Sequence, residues 1–299
     1  MSAGRDGDAL PYDPEARRDT PLALELKARI KARGPMSVRD YMHACLYDET
    51  HGYYRRADVI GTRGDFTTSP EISQLFGEII GIWAAVVWKT IGAPERFNLI
   101  ELGPGRGTLM ADALRASRLV PGFLEAADVA LVETNATLKA KQAETLAPHQ
   151  DAVHSLSWHA SPEDIWWDNA EPAQRPTILI GNEFLDTAPA AQYSWLDAGW
   201  TERWVTLDDA DRIVFADPRT FDGQEKLQSQ RKQEFEDRFP TPEIGDLATV
   251  PHYGMMDEIV APWPTFVGLF IDYGHEDATI GDTLQAVRQH KFEHPLTSP

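Results

Sequence analysis

The residues best placed to do chemistry stand in Glu101-Leu-Gly103-Pro-Gly105-Arg-Gly107-Thr108, where one acid precedes three alternating glycines. An apolar run from Phe97 to Leu102 leads into this turn, and a pattern with Leu109, Ala113 and Leu114 on one face leaves it. That is the order strand, tight turn, helix N-terminus: the ligand-binding turn of a doubly wound α/β domain. A dinucleotide turn of the form Gly-x-Gly-x-x-Gly would put its third glycine at position 108, which is Thr108. An acid at the strand end repels a pyrophosphate but suits the ammonium and sulfonium groups of S-adenosylmethionine. A second acid, Glu133, closes the next strand-like run, Val129 to Val132, one strand–helix–strand unit further on. A carboxylate there can accept both hydroxyls of a ribose. The residues therefore read as an S-adenosylmethionine site, with Glu101, Gly103, Gly105 and Gly107 on the methionine part and Glu133 on the ribose. An ordinary glycine-rich connection remains the competing reading for the turn taken by itself.

Other polar residues flank this centre. Asn182-Glu183 directly follows the apolar strand Ile178-Leu-Ile180, at the carboxyl edge where ligands bind in this architecture, although acids at strand ends also serve as caps. The loop Gly64-Asp65-Phe-Thr67-Thr68-Ser69 either folds over the cofactor or satisfies backbone donors at the entry of a helix. Trp158 ends a sheet strand; core packing is its default role, and flanking an adenine is the functional one. Of the nine histidines only His290 and His294 stand at i, i+4, in His290-Lys-Phe-Glu293-His294; the others show no such pairing, and no metal is expected. The single cysteine, Cys45, sits in an apolar helical stretch and excludes a disulfide framework.

These groups need elements to hold them, and 299 residues suffice for one large domain or one domain with a smaller appendage. A net charge of −19 argues against a phosphate backbone as the main partner, so no nucleic acid is expected. No apolar run is long enough for a membrane span. Residues 1–20 read as a polar tail, 21–95 as a helical cap region, and 96–299 as the cofactor-binding α/β domain with a β-rich insert at about 190–240. Helices are expected at Pro21–Arg33, from Ser37 as N-cap to Tyr47, and in a long run after Ser69-Pro70. In that third helix most of the stripe Ile72, Leu75, Phe76, Ile79, Ile80, Trp83, Val86 and Val87 is expected to be core. Strands at Val129–Glu133, Val153–Trp158 and Thr177–Gly181 alternate with helical stretches such as Ala136–Leu146, which implies a parallel sheet. Short β-like runs fill Ala191–Phe215, Gln224–Phe239 reads as a charged helix, and Phe266–Asp272 as a buried strand returning to the sheet.

Four blocks in this order, Gly64-Asp-Phe-Thr-Thr-Ser-Pro-Glu-Ile-Ser-Gln-Leu-Phe-Gly-Glu78, Glu101–Leu109, Asn182-Glu-Phe-Leu-Asp186 and Ile271-Asp-Tyr-Gly274, resemble the MidA-type class I S-adenosylmethionine methyltransferases. The resemblance runs from about Leu22 to Gly281-Asp-Thr-Leu284. It implies a Rossmann-like sheet, S-adenosylmethionine as cofactor, and cofactor-binding roles for Gly64, Thr67, Glu101, Gly103, Gly105, Gly107, Glu133, Trp158 and Asn182. Mitochondrial members resemble protein arginine methyltransferases that help assemble respiratory complex I. By that likeness the acceptor is an arginine of a protein, an NADH dehydrogenase subunit, in the bacterial cytoplasm or the mitochondrial matrix. Asp65, Glu183 and Asp186 are the carboxylates available to clamp its guanidinium. Departures from the family pattern are Leu185, Thr187-Ala188-Pro189, and the prolines of Ala261-Pro-Trp-Pro-Thr265. The chain also stops at Pro299, where members continue, so either it is truncated or its sheet lacks closing elements. An open sheet edge would favour pairing with a partner or with a second copy in a homodimer. The alternative function is therefore a non-catalytic assembly factor that keeps the methyltransferase fold.

Overall fold

The computed structural model describes residues 13, 16–55, 69–167, 175–197, 199–217, 236–239, 241–250, 254–274, 280–288 and 291–299. Gly64, Asp65 and Thr67, and most of the expected helix Gln224–Phe239, lie outside the described residues. The chain divides into two compact units: residues 1–56, 189–252 and 275–299 form one, and residues 57–188 and 253–274 the other.

The first unit begins with helix α1 (Pro21–Arg33), capped by the Thr20 hydroxyl, which accepts from the Ala23 N–H. A short strand β1 (Met36–Ser37) and helix α2 (Val38–Tyr47) follow, with Ser37 as the expected N-cap accepting from the Asp40 N–H. The second unit opens with helices α3 (Ser69–Ile72) and α4 (Gln74–Thr90), strand β2 (Phe97–Leu102) and helices α5 (Thr108–Ser117) and α6 (Phe123–Ala126). It continues through β3 (Ala127–Val132), α7 (Ala136–Leu146), β4 (Ser155–His159), α8 (Asp164–Trp167) and β5 (Thr177–Asn182). The first unit resumes with β6 (Ala191–Leu196), β7 (Gly199–Glu202), β8 (Trp204–Leu207), β9 (Ile213–Phe215) and β10 (Leu247–Val250). Helix α9 (Met255–Val260) and β11 (Phe266–Ile271) return to the second unit, and the hairpin β12 (Ala286–Arg288) and β13 (Lys291–Glu293) ends the first.

The second unit is built on a five-stranded parallel sheet in the order β11-β5-β2-β3-β4. β2, β3 and β5 are mostly apolar and are buried without alternation because helices cover both faces of the sheet. In register, Glu101 lies beside Leu131 of β3 and Ile180 of β5, and Asn182 beside Ile271 of β11. The acids thus gather at one edge. On one face α4 packs on α5 with backbones in close approach: a Cβ on Gly81 would stand 2.3 Å from the Ala113 carbonyl oxygen.

The structure corrects three expectations here. The third helix is broken at Ser73, and its core face is Gly77, Ile80, Gly81, Ala84, Ala85 and Trp88. Ile72, Leu75, Ile79 and Val86 are exposed, because glycine and alanine, the smallest residues, are what close helix packing requires on the inner face. The short β-like runs of Ala191–Phe215 are divided between two sheets: β7 pairs with β6 and β8 with β1 and β9, the chain changing sheets at Arg203. β11 is a strand parallel to β5, yet its first residues Phe266 and Val267 are exposed since it is an edge strand. Helix α9 precedes Pro262 and ends where the two prolines begin.

In the first unit, β10-β6-β7 and β1-β8-β9 form two antiparallel three-stranded sheets, the insert-like β-rich part of the chain. Arg203 lies over the Phe215 ring, 3.4 Å from its centroid, and donates to Gln192 Oε1 and Asp282 Oδ2. α1, α2, β8 and β9 share one apolar cluster around Leu26, Tyr41 and Val205.

Candidate active site

The turn after β2 has all three glycines in the left-handed region, with φ of +60° at Gly103, +54° at Gly105 and +80° at Gly107. At Gly103 the need is double: a Cβ would also sit 2.9 Å from the Phe184 ring. The Gly103 N–H donates to the Val132 carbonyl, which ties the turn to the end of β3. α5 starts at Thr108, whose hydroxyl donates to Glu71 Oε1 at 2.7 Å. A concave site is lined by Pro70, Glu71, Glu101, Gly103, Gly105 and Glu183, among others.

Glu101 is buried, and its Oε2 has no hydrogen-bond partner among the described residues. Burial alone raises its carboxyl to about 8. An enclosed acid with an unused oxygen, next to a turn of bare backbone, fits a ligand that brings a cation. The ammonium of S-adenosylmethionine meets that requirement, and the glycines leave room for its chain.

Glu133 stands one residue past the end of β3. Its N–H donates to the His159 carbonyl; its Oε1 accepts from the Asn135 N–H at 2.7 Å and its Oε2 from Gln142 at 3.2 Å. Burial raises its carboxyl, against the lowering effect of those hydrogen bonds. Trp158, half-buried at the end of β4, donates its indole N–H to Gln142 at 3.0 Å. Gln142 was invisible to the motif reading because it lies mid-helix in α7, with no spacing relation to the turn.

Across the edge, Asn182 ends β5 and Glu183 follows with φ of +51°, an uncommon conformation for glutamate. The Glu183 N–H donates to the Ile271 carbonyl, and its Oε1 accepts from the Ser69 N–H at 3.3 Å. Asp186 sits in the short turn after it. Asp272 Oδ2 accepts from the N–H groups of Leu185 (2.7 Å) and Asp186 (3.0 Å), so β11 fixes the turn that carries Asp186. Desolvation of the carboxyl, then the Asp272 and Glu183 carboxylates beside it, raise Asp186 to about 6. The exposed Tyr273 hydroxyl is raised too, chiefly by Glu183. Asp272 and Tyr273 belong to the Ile271–Gly274 block, whose spacing alone points to no role. The hydrogen bond between Asp272 and the Asp186 N–H crosses more than eighty residues of chain and follows only from the β11–β5 pairing.

The structure therefore brings Glu101, Gly103, Gly105, Asn182 and Glu183 to one site, and Glu133 and Trp158 together through Gln142. Among the described residues, no group of three His, Cys, Asp or Glu could hold a metal ion, and no helix is long and apolar enough to cross a membrane.

Residues 79–299 match the model of a family described as "Putative S-adenosyl-L-methionine-dependent methyltransferase". The chain is 33% identical to the mitochondrial protein arginine methyltransferase NDUFAF7 of Rattus norvegicus, over 95% of this chain and 67% of that protein. It is 32% identical to the NDUFAF7 homolog of Drosophila melanogaster, over 93% of this chain and 65% of that protein. It thus spans about two thirds of the length of the curated relatives it matches. A crystal structure from Burkholderia thailandensis, described as a "likely methyl transferase" bound to S-adenosyl-homocysteine, is similar with a TM-score of 0.72 and 25% identity, over 91% of this chain and 69% of that one. Fold, glycine turn and these likenesses converge: the chain belongs to this family of S-adenosyl-L-methionine-dependent methyltransferases and has the α/β fold of the class I enzymes.

Proposed function

We propose that the chain methylates a guanidinium nitrogen of an arginine in a partner protein, and that this partner is a subunit of the respiratory NADH dehydrogenase. The observation that carries the acceptor is the cluster of Glu183, Asp186, Asp272 and Tyr273, in which burial first, and then repulsion from the Asp272 and Glu183 carboxylates, raises Asp186 to about 6. A cation relieves that repulsion, and a planar guanidinium can engage two carboxylates at once. The relatives named as protein arginine methyltransferases support the same acceptor. The excess of acidic over basic residues, 47 against 28, steers a basic segment toward the chain.

Bound S-adenosylmethionine supplies a sulfonium methyl and a good leaving group. Glu101 holds the ammonium of the methionine part, the Gly103–Gly107 turn admits its chain, and Glu133 accepts from the ribose hydroxyls. Asn182 and Glu183 stand between this end and the acceptor end. Glu183 and Asp186 orient the guanidinium so that one nitrogen faces the methyl, and one of the two carboxylates takes the proton which that nitrogen sheds once methylated. The family resemblance gives Asp65 the role of a further carboxylate toward the acceptor, and Gly64 and Thr67 roles toward the cofactor; all three lie outside the described residues. The reading puts the protein where that dehydrogenase is assembled: the bacterial cytoplasm, or the mitochondrial matrix in a eukaryote.

The test is incubation with labelled S-adenosylmethionine and a respiratory-membrane extract, followed by mass spectrometry of labelled proteins. Methyl groups on an arginine of an NADH dehydrogenase subunit are expected. Label only on small molecules, or on lysines, would rule out the acceptor.

A further inference from the structure

Gln142 is the most enclosed polar side chain near the cofactor turn, with none of its surface exposed. Its amide is saturated. Nε2 donates to the Gly105 carbonyl at 2.7 Å and to Glu133 Oε2 at 3.2 Å, while Oε1 accepts from the Trp158 indole at 3.0 Å. The three partners allow one orientation: turning the amide over would set its oxygen against a carbonyl and a carboxylate, and its NH2 against an indole N–H. The backbone is tight as well, since a Cβ on Gly107 would stand 3.3 Å from the Gln142 Cα. One side chain of α7 therefore touches the β2 turn, the acid after β3 and the aromatic at the end of β4.

We propose that Gln142 is a positioning residue of the cofactor site, which holds the Glu133 carboxylate in the rotamer that receives the ribose hydroxyls and locks it to the glycine turn and to Trp158. The inference rests on the reading of Glu133 as the ribose acid. A carboxylate that must accept two hydroxyls at fixed spacing cannot be left to rotate. Here Asn135 pins one oxygen through its N–H and Gln142 pins the other, and each oxygen keeps acceptor capacity for a hydroxyl. Asn135 is itself held as the N-cap of α7, its Oδ1 accepting from Thr137 and Leu138, so both pins belong to one helix. The hydrogen bond from Gln142 also favours the ionised carboxylate against the burial that opposes it. No other common side chain serves all three partners. A leucine or methionine leaves a carbonyl, a carboxylate and an indole N–H unmatched, and a carboxylate repels two of the three.

Calorimetric titration with S-adenosylhomocysteine and with its 2′,3′-dideoxyribose counterpart tests this. Wild type is expected to prefer the hydroxylated ligand. Gln142→Met, a close match in volume, is expected to weaken S-adenosylhomocysteine about tenfold while hardly changing the dideoxy ligand. Glu133→Gln is expected to do the same, and the double variant to lose little more of the preference than either single one. A Gln142→Met protein that melts earlier but keeps the full preference would overturn the proposal, leaving Gln142 a structural filler. Full preference in Glu133→Gln would instead remove the ribose reading and the proposal with it. Gln142→Glu supplies a second readout if the methionine variant fails to fold. Its preference for the hydroxylated ligand should be kept while the introduced carboxyl is protonated and be lost as pH rises. A preference indifferent to pH in that variant counts against the proposal.

Discussion

On the β2–β3 side of the sheet edge each acid stands apart: Glu101 is enclosed with an unused oxygen, and Glu133 has a partner for each oxygen. On the β5–β11 side three acids, Glu183, Asp186 and Asp272, stand together: burial and then the Asp272 and Glu183 carboxylates raise Asp186, and Glu183 chiefly raises Tyr273. The same residue type is thus used in two ways. A separated, packed carboxylate suits a ligand of fixed shape, whose charges fall at known points. A crowded, partly exposed cluster suits a mobile cation arriving from outside, because its repulsion is relieved wherever the charge lands. Cofactor and acceptor functions should therefore be separable by mutation.

The largest effect is expected at the turn. Gly103→Val must place a branched side chain at φ +60° and against the Phe184 ring. Affinity for S-adenosylhomocysteine should drop by about a hundredfold or more in a protein that still melts cooperatively. Unchanged binding in the calorimeter would detach the turn from the cofactor and break the comparison at its first term.

Glu101→Gln comes next. Its carboxyl is raised from 4.5 to about 8, so the folded chain holds a proton that the unfolded chain releases between those values. Stability of the ligand-free protein should thus fall as pH rises through that window. The glutamine variant should lack this fall and be more stable at pH 8, by on the order of a few kcal/mol. It should also lose the cofactor's ammonium partner. Denaturant melts at pH 5 and pH 8 check the first point and calorimetry the second; parallel pH profiles for both proteins would mean Glu101 is not the enclosed acid.

A smaller effect belongs to the acceptor side. Glu183→Gln and Asp186→Asn should each lower kcat/KM for an arginine-containing substrate by about tenfold, with S-adenosylhomocysteine affinity unchanged for Asp186→Asn. In wild type the rate should climb as pH rises through about 6, where Asp186 ionises and can hold a cation. A rate independent of Asp186 would leave the cluster without a part in acceptor binding.

What the sequence revealed follows the same division. The positions of Glu101, the glycines and Glu133 at the ends of β2 and β3 were legible because spacing along one strand–helix–strand unit dictates them. The helices Pro21–Arg33 and Val38–Tyr47 were legible, the second from Ser37 as its N-cap, while the Thr20 cap of the first was hidden in what reads as a polar tail. Gln142 was not legible, since a mid-helix glutamine usually faces solvent and only the packing of α7 on the turn buries it. Asp272 was not, since its partner Asp186 lies in the turn that follows another strand, β5. The exposed face of α4 escaped because apolar periodicity marks a stripe without saying which of two apolar sides is inward; the close approach at Gly77 and Gly81 settles it.

The finest expected effect lies at Asp272, which contributes both geometry and charge. Asn in its place keeps an oxygen that can accept from the Leu185 and Asp186 N–H groups, so the turn should hold. What is removed is one of the carboxylates that raise Asp186. Its ionisation should then move down toward the ordinary range, by roughly a few tenths of a pH unit given the exposure of the site. The acidic limb of the pH–rate profile should shift to lower pH by that amount, with the rate at pH 8 little changed. Asp272→Ala, which removes the acceptor oxygen as well, should in contrast lower the rate at every pH, because the turn carrying Asp186 loses its anchor. If the asparagine variant shifts nothing, Asp186 is not the titrating group and another acid sets the limb. If both variants behave alike, Asp272 acts only through geometry, and the crowding that distinguishes this end from the Glu101–Glu133 end has no part in the chemistry.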